Sequence, residues 1–221
     1  MESLLNKQSA IVSLTGAISL FFFGYYITRD NELSLFLVYA ILTGLFFYVF
    51  PFWKSVVKPK LDFKQVLVIA LLFRLVLLFS TPSLSDDYHR FIWDGELISN
   101  GNNPYEFKPV NQEFDSPKHE ITLKYRTYNK INSKEYYSVY PPVNQVLFGL
   151  VEYASGNKSY HFIILLRLLL ICFDMGVILL LAKLLKWFSK KKELVVIYAL
   201  NPLVITELTG NLHFEGVTLF F

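Results

Sequence analysis

The chain has 221 residues, of which 53% are hydrophobic, 17% aromatic and only 18% charged, against about 25% charged in soluble domains. Its mean hydropathy is +0.39, its formal net charge is +3, and Cys172 is its single cysteine. These values exclude a disordered chain, a disulfide scaffold and an ordinary soluble enzyme, and so small a charge makes no case for a nucleic-acid partner.

An all-α, polytopic transmembrane helix bundle is expected. A helix needs roughly 20 apolar residues to cross about 30 Å of hydrocarbon. Apolar runs that meet or approach this lie at 9–28, 35–53, 65–80, 160–185, 194–212 and from 216 to the end. The first is too long, and too bulky at its Phe-Phe-Phe-Gly-Tyr-Tyr end, for a cleaved signal peptide. The stretch 143–154 is apolar but too short to span. It reads as a re-entrant or interfacial helix, with a short tilted span as the alternative. The final run is cut off, so 1–221 reads as one transmembrane domain that looks like the first half of something longer.

Loop charge sets the orientation. Lys54, Lys58, Lys60 and Lys64 oppose Asp62 for a net +3. Lys183, Lys186, Lys190, Lys191 and Lys192 oppose Glu193 for a net +4. Both loops belong in the cytoplasm. The long loop 81–142 belongs outside. Through residue 143 it holds seven Lys/Arg and nine Asp/Glu, a net −2. The N-terminus is then cytoplasmic, and Gly210-Asn211-Leu212-His213-Phe214-Glu215-Gly216 falls on the outer side with the long loop.

Within that loop Tyr88, Phe91, Ile92, Gly95, Ile98 and Ser99 recur at a helical period. An amphipathic helix lying on the membrane surface is expected there, with Ser85 or Asp86 as N-cap and Asn100-Gly101 as its stop. Asp86 and Asp87 open this helix. Either they cap it, or one caps while its neighbour serves as a general base. Seven of the fourteen tyrosines lie in the loop, including Tyr105 and Tyr140, where they suit sugar stacking and interfacial anchoring equally. Arg74, Arg167, Asp174 and Glu207 interrupt apolar runs. They either join helices or face a cavity, where an arginine would neutralise a lipid phosphate. His213 and Glu215 are too few for a metal site but suit the wall of a polar pocket. Asn201-Pro202 breaks a span. The residues indicate neither a metal nor another cofactor.

The run Leu84-Ser85-Asp86-Asp87-Tyr88-His89-Arg90-Phe91-Ile92-Trp93-Asp94-Gly95, followed by Gly101-Asn102-Asn103-Pro104-Tyr105, resembles the first external loop of bacterial GT-C-type glycosyltransferases, in particular polyprenol-phosphate-mannose-dependent mannosyltransferases. Tyr140-Pro141-Pro142, and Asn201-Pro202-Leu203 with Gly210-Asn211-Leu212-His213, look like later landmarks of the same family. The likeness covers the chain from about Phe73 onward. Two departures stand out: the acidic loop follows the third span rather than the first, and later helices of the usual fold are missing.

The resemblance implies an integral protein of the bacterial cytoplasmic membrane and a polyprenyl-phosphate-sugar donor. The acceptor is then a glycan, a lipid-linked saccharide or a protein. Catalysis on the outer face by an acidic loop residue maps to Asp86 and Asp87. The implied reaction moves a hexose, most of all mannose, to an acceptor hydroxyl. Arg90, His213 and Arg74 are candidates to stabilise the departing lipid phosphate, and Tyr105, Tyr140 and Glu215 to contact substrate. A transporter or flippase for a lipid-linked or small polar substrate is the competing class, and a non-catalytic membrane subunit a third.

Overall fold

A computed structural model of the protein describes residues 7–49, 61–112 and 127–221. Lys54, Lys58 and Lys60 of the first basic loop, and loop residues 113–126, lie outside the described residues. Every regular element among those described is helical. The chain divides into two compact units, Met1–Leu84 with Leu168–Phe221, and Ser85–Arg167.

The first unit contains α1 (Lys7–Tyr26), α2 (Glu32–Val49), α3 (Phe63–Val76) and the later part of α6 (Ser159–Trp187). A broken segment follows: a 3-10 turn Lys192–Val195, α7 (Val196–Ala199), α8 (Pro202–Val204), the single π-helical turn Ile205–Gly210, and finally α9 (Glu215–Phe220). Helices α2 and α6 are long and apolar enough to cross a membrane, and the segment bent by 57° between 199 and 202 makes a third if it is one span. At about 1.5 Å per residue, the 29 residues of α6 reach about 44 Å, beyond the hydrocarbon thickness. Leu33, Phe36, Leu37 and Ile41 of α2 stay exposed, as expected of side chains whose solvent is lipid.

Local chemistry explains the element ends. Asp62, with ψ 169°, caps α3: its Oδ1 accepts from Gln65 N at 2.8 Å, and Gln65 Oε1 accepts from Asp62 N at 3.1 Å. This reciprocal pair satisfies two otherwise orphaned amides. Gly16 and Gly24 let α1 lie close to α3, since a Cβ would meet the Phe73 ring at the first and Leu77 at the second. Small residues serve such close helix approach in membranes.

The break at Pro202 creates the unit's main polar problem. Proline has no N–H, and Leu203 N–H donates to Asn201 Oδ1 at 3.0 Å, so the Ala199 carbonyl loses its helical partner. Arg74 supplies one. Its Nη1 donates to Ala199 O at 2.9 Å and to Ala70 O at 3.0 Å, and its Nε donates to Asp174 Oδ2 at 2.6 Å. Tyr198 OH donates to Asp174 Oδ1 at 2.7 Å. Both ions are almost wholly buried. Arg74 therefore joins α3, α6 and α7. The geometry favours the helix-joining alternative over the phosphate contact expected from the sequence.

The second unit is built on α4 (Tyr88–Ser99) and α5 (Pro142–Ser155), joined by a connection of which 100–112 and 127–141 are described, and followed by the start of α6. Gly95 brings the helices together, for a Cβ there would fall 2.7 Å from the Phe148 carbonyl oxygen. Phe91 stacks on Phe148 at 4.7 Å. Asn100 and left-handed Gly101 (φ 75°) end α4, and Gly156 (φ 60°) ends α5.

One expectation needs correcting. A surface helix with a water-facing polar side was expected at 88–99, but every residue from Tyr88 to Leu97 is buried. The polar side carries Arg90 and Asp94, which bond each other, the loop before α5 and Gln145 of α5, so protein rather than water covers it. Helix α5 shows the inverse pattern. Its Asn144, Gln145 and Glu152 are buried, while Val143, Val146, Leu150 and Tyr153 are exposed along one stripe.

The Arg74–Asp174 pair generates a stability prediction. Removing one partner strands the other charge, so Arg74→Ala or Asp174→Ala should cost about 3–5 kcal/mol. Thermal unfolding in detergent measures it, and the double replacement Arg74→Met with Asp174→Leu should recover part of the loss.

Candidate functional site

The acidic pair sits where α4 begins. His89 N donates to Asp86 O at 3.1 Å, and Arg90 N and Phe91 N donate to Asp87 O at 2.8 and 3.1 Å. The N-cap position is Asp87, rather than Ser85 or Asp86 as expected, and its carboxylate makes no capping bond. The backbone gives the reason. A capping side chain reaches the N2 or N3 amide from an extended residue, as Asp62 does, whereas Asp87 is helical at φ −62°, ψ −26°. Ser85 Oγ takes the Asp87 N–H instead, at 3.3 Å. Both aspartates are half-buried.

Below them lies a buried hub. Asp94, fully buried, accepts from Arg90 Nε at 2.8 Å, Ser138 Oγ at 2.6 Å and Gln145 Nε2 at 2.9 Å. Arg90 Nη1 donates to the Ser133 and Tyr136 carbonyls at 3.2 and 3.0 Å. Arg90 thus ties the loop to α4 and is nearly inaccessible, which points away from the phosphate contact expected for it. The i, i+4 spacing of Arg90 and Asp94 was the legible sign of this pair. Nothing in that spacing alone marks Asp94 as the centre of a hub.

The hub fixes Tyr140. Its ring packs edge-on against Phe91 and Phe148, at 5.0 and 5.6 Å. Its carbonyl accepts from Tyr105 OH at 2.6 Å. Burial, then the nearby charges of Asp87 and Asp94, push the Tyr140 hydroxyl well above the usual phenol range, with Arg90 opposing. Burial and Asp94 also raise Tyr105. Both tyrosines therefore remain neutral phenols. Asp86, Asp87, Arg90, Tyr105 and Tyr140 all belong to this second unit.

Arg74, His213 and Glu215 belong to the first unit. There His213 Nδ1 lies 3.4 Å from Glu207 Oε2, and its backbone N–H donates to Glu207 O at 3.2 Å. Asn211 Nδ2 donates to the same Glu207 Oε2 at 3.2 Å, while Asn211 Oδ1 accepts from Leu84 N at 3.4 Å. The carboxylate partner of His213 is thus Glu207, six residues away. Glu215, the acid two residues along, is exposed in the first turn of α9. No simple spacing announces the pair, because a π-turn and a left-handed Leu212 (φ 62°) lie between its members. No group of three or more His, Cys, Asp or Glu side chains among the described residues is placed to hold a metal ion.

Two helices long and apolar enough to cross a membrane, a broken third segment, and a unit that carries an acidic pair and the half-buried Tyr140 fit an integral membrane protein. The comparison with known families agrees. Residues 10–220 match the family described as alpha-(1->6)-mannopyranosyltransferase, N-terminal domain, and the chain belongs to that family. No curated protein and no solved structure matches.

Two predictions follow from the second unit. Asp94→Ala strands the Arg90 charge and should loosen residues 133–141 by about 3 kcal/mol or more, read as faster amide exchange or proteolysis there. His89 is buried, with Nδ1 lacking a partner among the described residues. Burial, then Lys130, lower its pKa, with Asp86 opposing. The unfolded chain therefore binds the proton more readily than the native one. The associated stability is fully present above about pH 6.5 and is lost as pH falls toward the depressed native value. Protection factors at 127–141, which correct for the slower intrinsic exchange at low pH, should fall with acidification, and His89→Gln should flatten that fall.

Proposed function

We propose that the protein is a GT-C-type transferase that moves a mannosyl residue from a polyprenyl-phosphate donor to an acceptor hydroxyl at the outer face of the cytoplasmic membrane, with its N-terminus in the cytoplasm. The observation that carries the assignment of the base is Asp87: it heads α4, half-buried, with a carboxylate that makes no capping bond. Net charges of +3 and +4 on two loops, against −2 on the loop that carries the acids, support the orientation. The exposed apolar stripe of α5 suits contact with lipid at that face. The description of the family, an alpha-(1->6) transfer, points to a 6-hydroxyl on a mannose-containing glycan or lipid-linked saccharide.

In this reaction Asp87 removes the acceptor proton as the oxygen attacks C1. The new C1–O bond forms while the bond from C1 to the phosphate oxygen breaks, through an oxocarbenium-like transition state. The electron pair leaves with the polyprenyl phosphate, which gains a second negative charge and needs hydrogen-bond or cationic stabilisation rather than a proton. Tyr105 and Tyr140 offer a stacking face for the sugar, and Asp86 supports its neighbour. In the first unit, and in its own right, His213 is proposed as a contact for the phosphate of a lipid-linked donor. No step calls on a cofactor.

Asp86→Asn and Asp87→Asn, tested separately in full-length protein in native membranes with radiolabelled mannosyl-phosphoryl-polyprenol, check the assignment. Asp87→Asn should lower transfer by at least about 100-fold, within the range for a general base, and Asp86→Asn by less. Wild-type transfer by both variants sinks the assignment.

A further inference from the structure

The segment from Ile205 to Phe214 departs from regular helix twice in ten residues. Ile205–Gly210 is a π-turn, a form found mostly as single turns at functional sites. Leu212 is left-handed at φ 62° although its bulky side chain is fully buried. Non-glycine residues there cost of order 1–3 kcal/mol and persist only when their surroundings over-determine them. The surroundings do so here. Asn211 N donates to Thr206 O at 2.9 Å, Thr206 Oγ1 pairs with Tyr39 OH at 2.9 Å, and the Asn211 side chain ties Glu207 to the backbone of Leu84. The product of this strain is one local arrangement: Glu207 beside His213 Nδ1, on an imidazole about one-third exposed. Neither a spanning helix nor a plain loop requires a carboxylate behind a histidine.

We infer that Glu207 is a positioning residue. It holds the His213 ring with Nδ1–H directed to its carboxylate, so that Nε2–H is the group offered to an anionic oxygen. The ligand class is the phosphate of a lipid-linked donor, and the inference rests on the proposed contact of His213 with that phosphate. On C1–O cleavage the phosphodiester becomes a phosphate monoester and its charge grows. A carboxylate behind the ring fixes its tautomer and orientation, so that Nε2–H stays aimed at the oxygen whose charge grows. Its contribution is therefore larger in the transition state than in the bound donor, and such interactions appear in kcat. Asn211 completes the arrangement by holding the shared Oε2.

Full-length protein in membranes, assayed with mannosyl-phosphoryl-polyprenol of defined chain length, tests this. Glu207→Gln should lower kcat about 10- to 100-fold, the range seen when an orienting partner behind a functional histidine is lost, with donor KM little changed. Glu207→Asp should restore part of it. Asn211→Ala, which leaves the charge in place, should lower the same parameter by less, and it also covers the case in which Glu207→Gln fails to fold. Wild-type kcat in Glu207→Gln alongside an impaired His213→Ala overturns the inference and leaves the phosphate role of His213 standing. Wild-type transfer by His213→Ala overturns both. A Glu207→Gln loss that matches the fall in folded protein, with kcat per folded molecule unchanged, reduces Glu207 to a structural residue.

Discussion

Each unit of this protein contains a buried arginine–aspartate pair among its described residues, and the same constraint explains both. An ion removed from water is costly unless an opposite charge and further hydrogen bonds match it. A guanidinium has several fixed donors, so meeting the constraint forces it to bind several chain segments at once. In the first unit Arg74 meets Asp174 and two backbone carbonyls, one of them orphaned by the break before Pro202. In the second, Arg90 meets Asp94 and two carbonyls of the loop leading to α5. The charges that mark these helices in the sequence are therefore ties between elements.

That use of the arginines shapes the candidate chemistry. With Arg90 and Asp94 holding the loop, the acids left at the head of α4 are Asp86 and Asp87, and Asp87 lacks the extended backbone a cap requires. Tyr140 packs between α4 and α5, while its carbonyl anchors Tyr105. The result is a polar, aromatic patch on a rigid helix pair, the kind of support a precisely placed reactive group needs. The outward apolar stripe of α5 completes a unit that buries polar groups beside its aromatic core.

Irregular backbone in the first unit obeys the same economy. Backbone groups in an apolar environment must find internal partners. The break at 201–202 finds them in Asn201 and Arg74. The π-turn and left-handed Leu212 are stabilised by Asn211, Thr206 and Tyr39. Departures from helix are thus tolerated only where polar side chains are at hand, and the Glu207–His213 pair lies at one such place.

Much of this was legible in the amino-acid sequence. Long apolar runs announce helices such as α2 and α6, because burying backbone in lipid leaves few other options. The motif from Leu84 to Gly95, with its later landmarks, pointed to the mannosyltransferase family, and Asn201-Pro202 announced the break. What the sequence could not decide was partnership. Whether Arg74 would meet a phosphate or Asp174, whether the polar side of α4 would meet water or a loop, and which acid would stand beside His213 each depended on residues distant in the chain or on a local backbone turn outside any helical period. Periodicity reports which side of an element differs from the other. Only tertiary structure decides what covers each side, because burial and charge pairing are properties of the neighbours brought there by the fold.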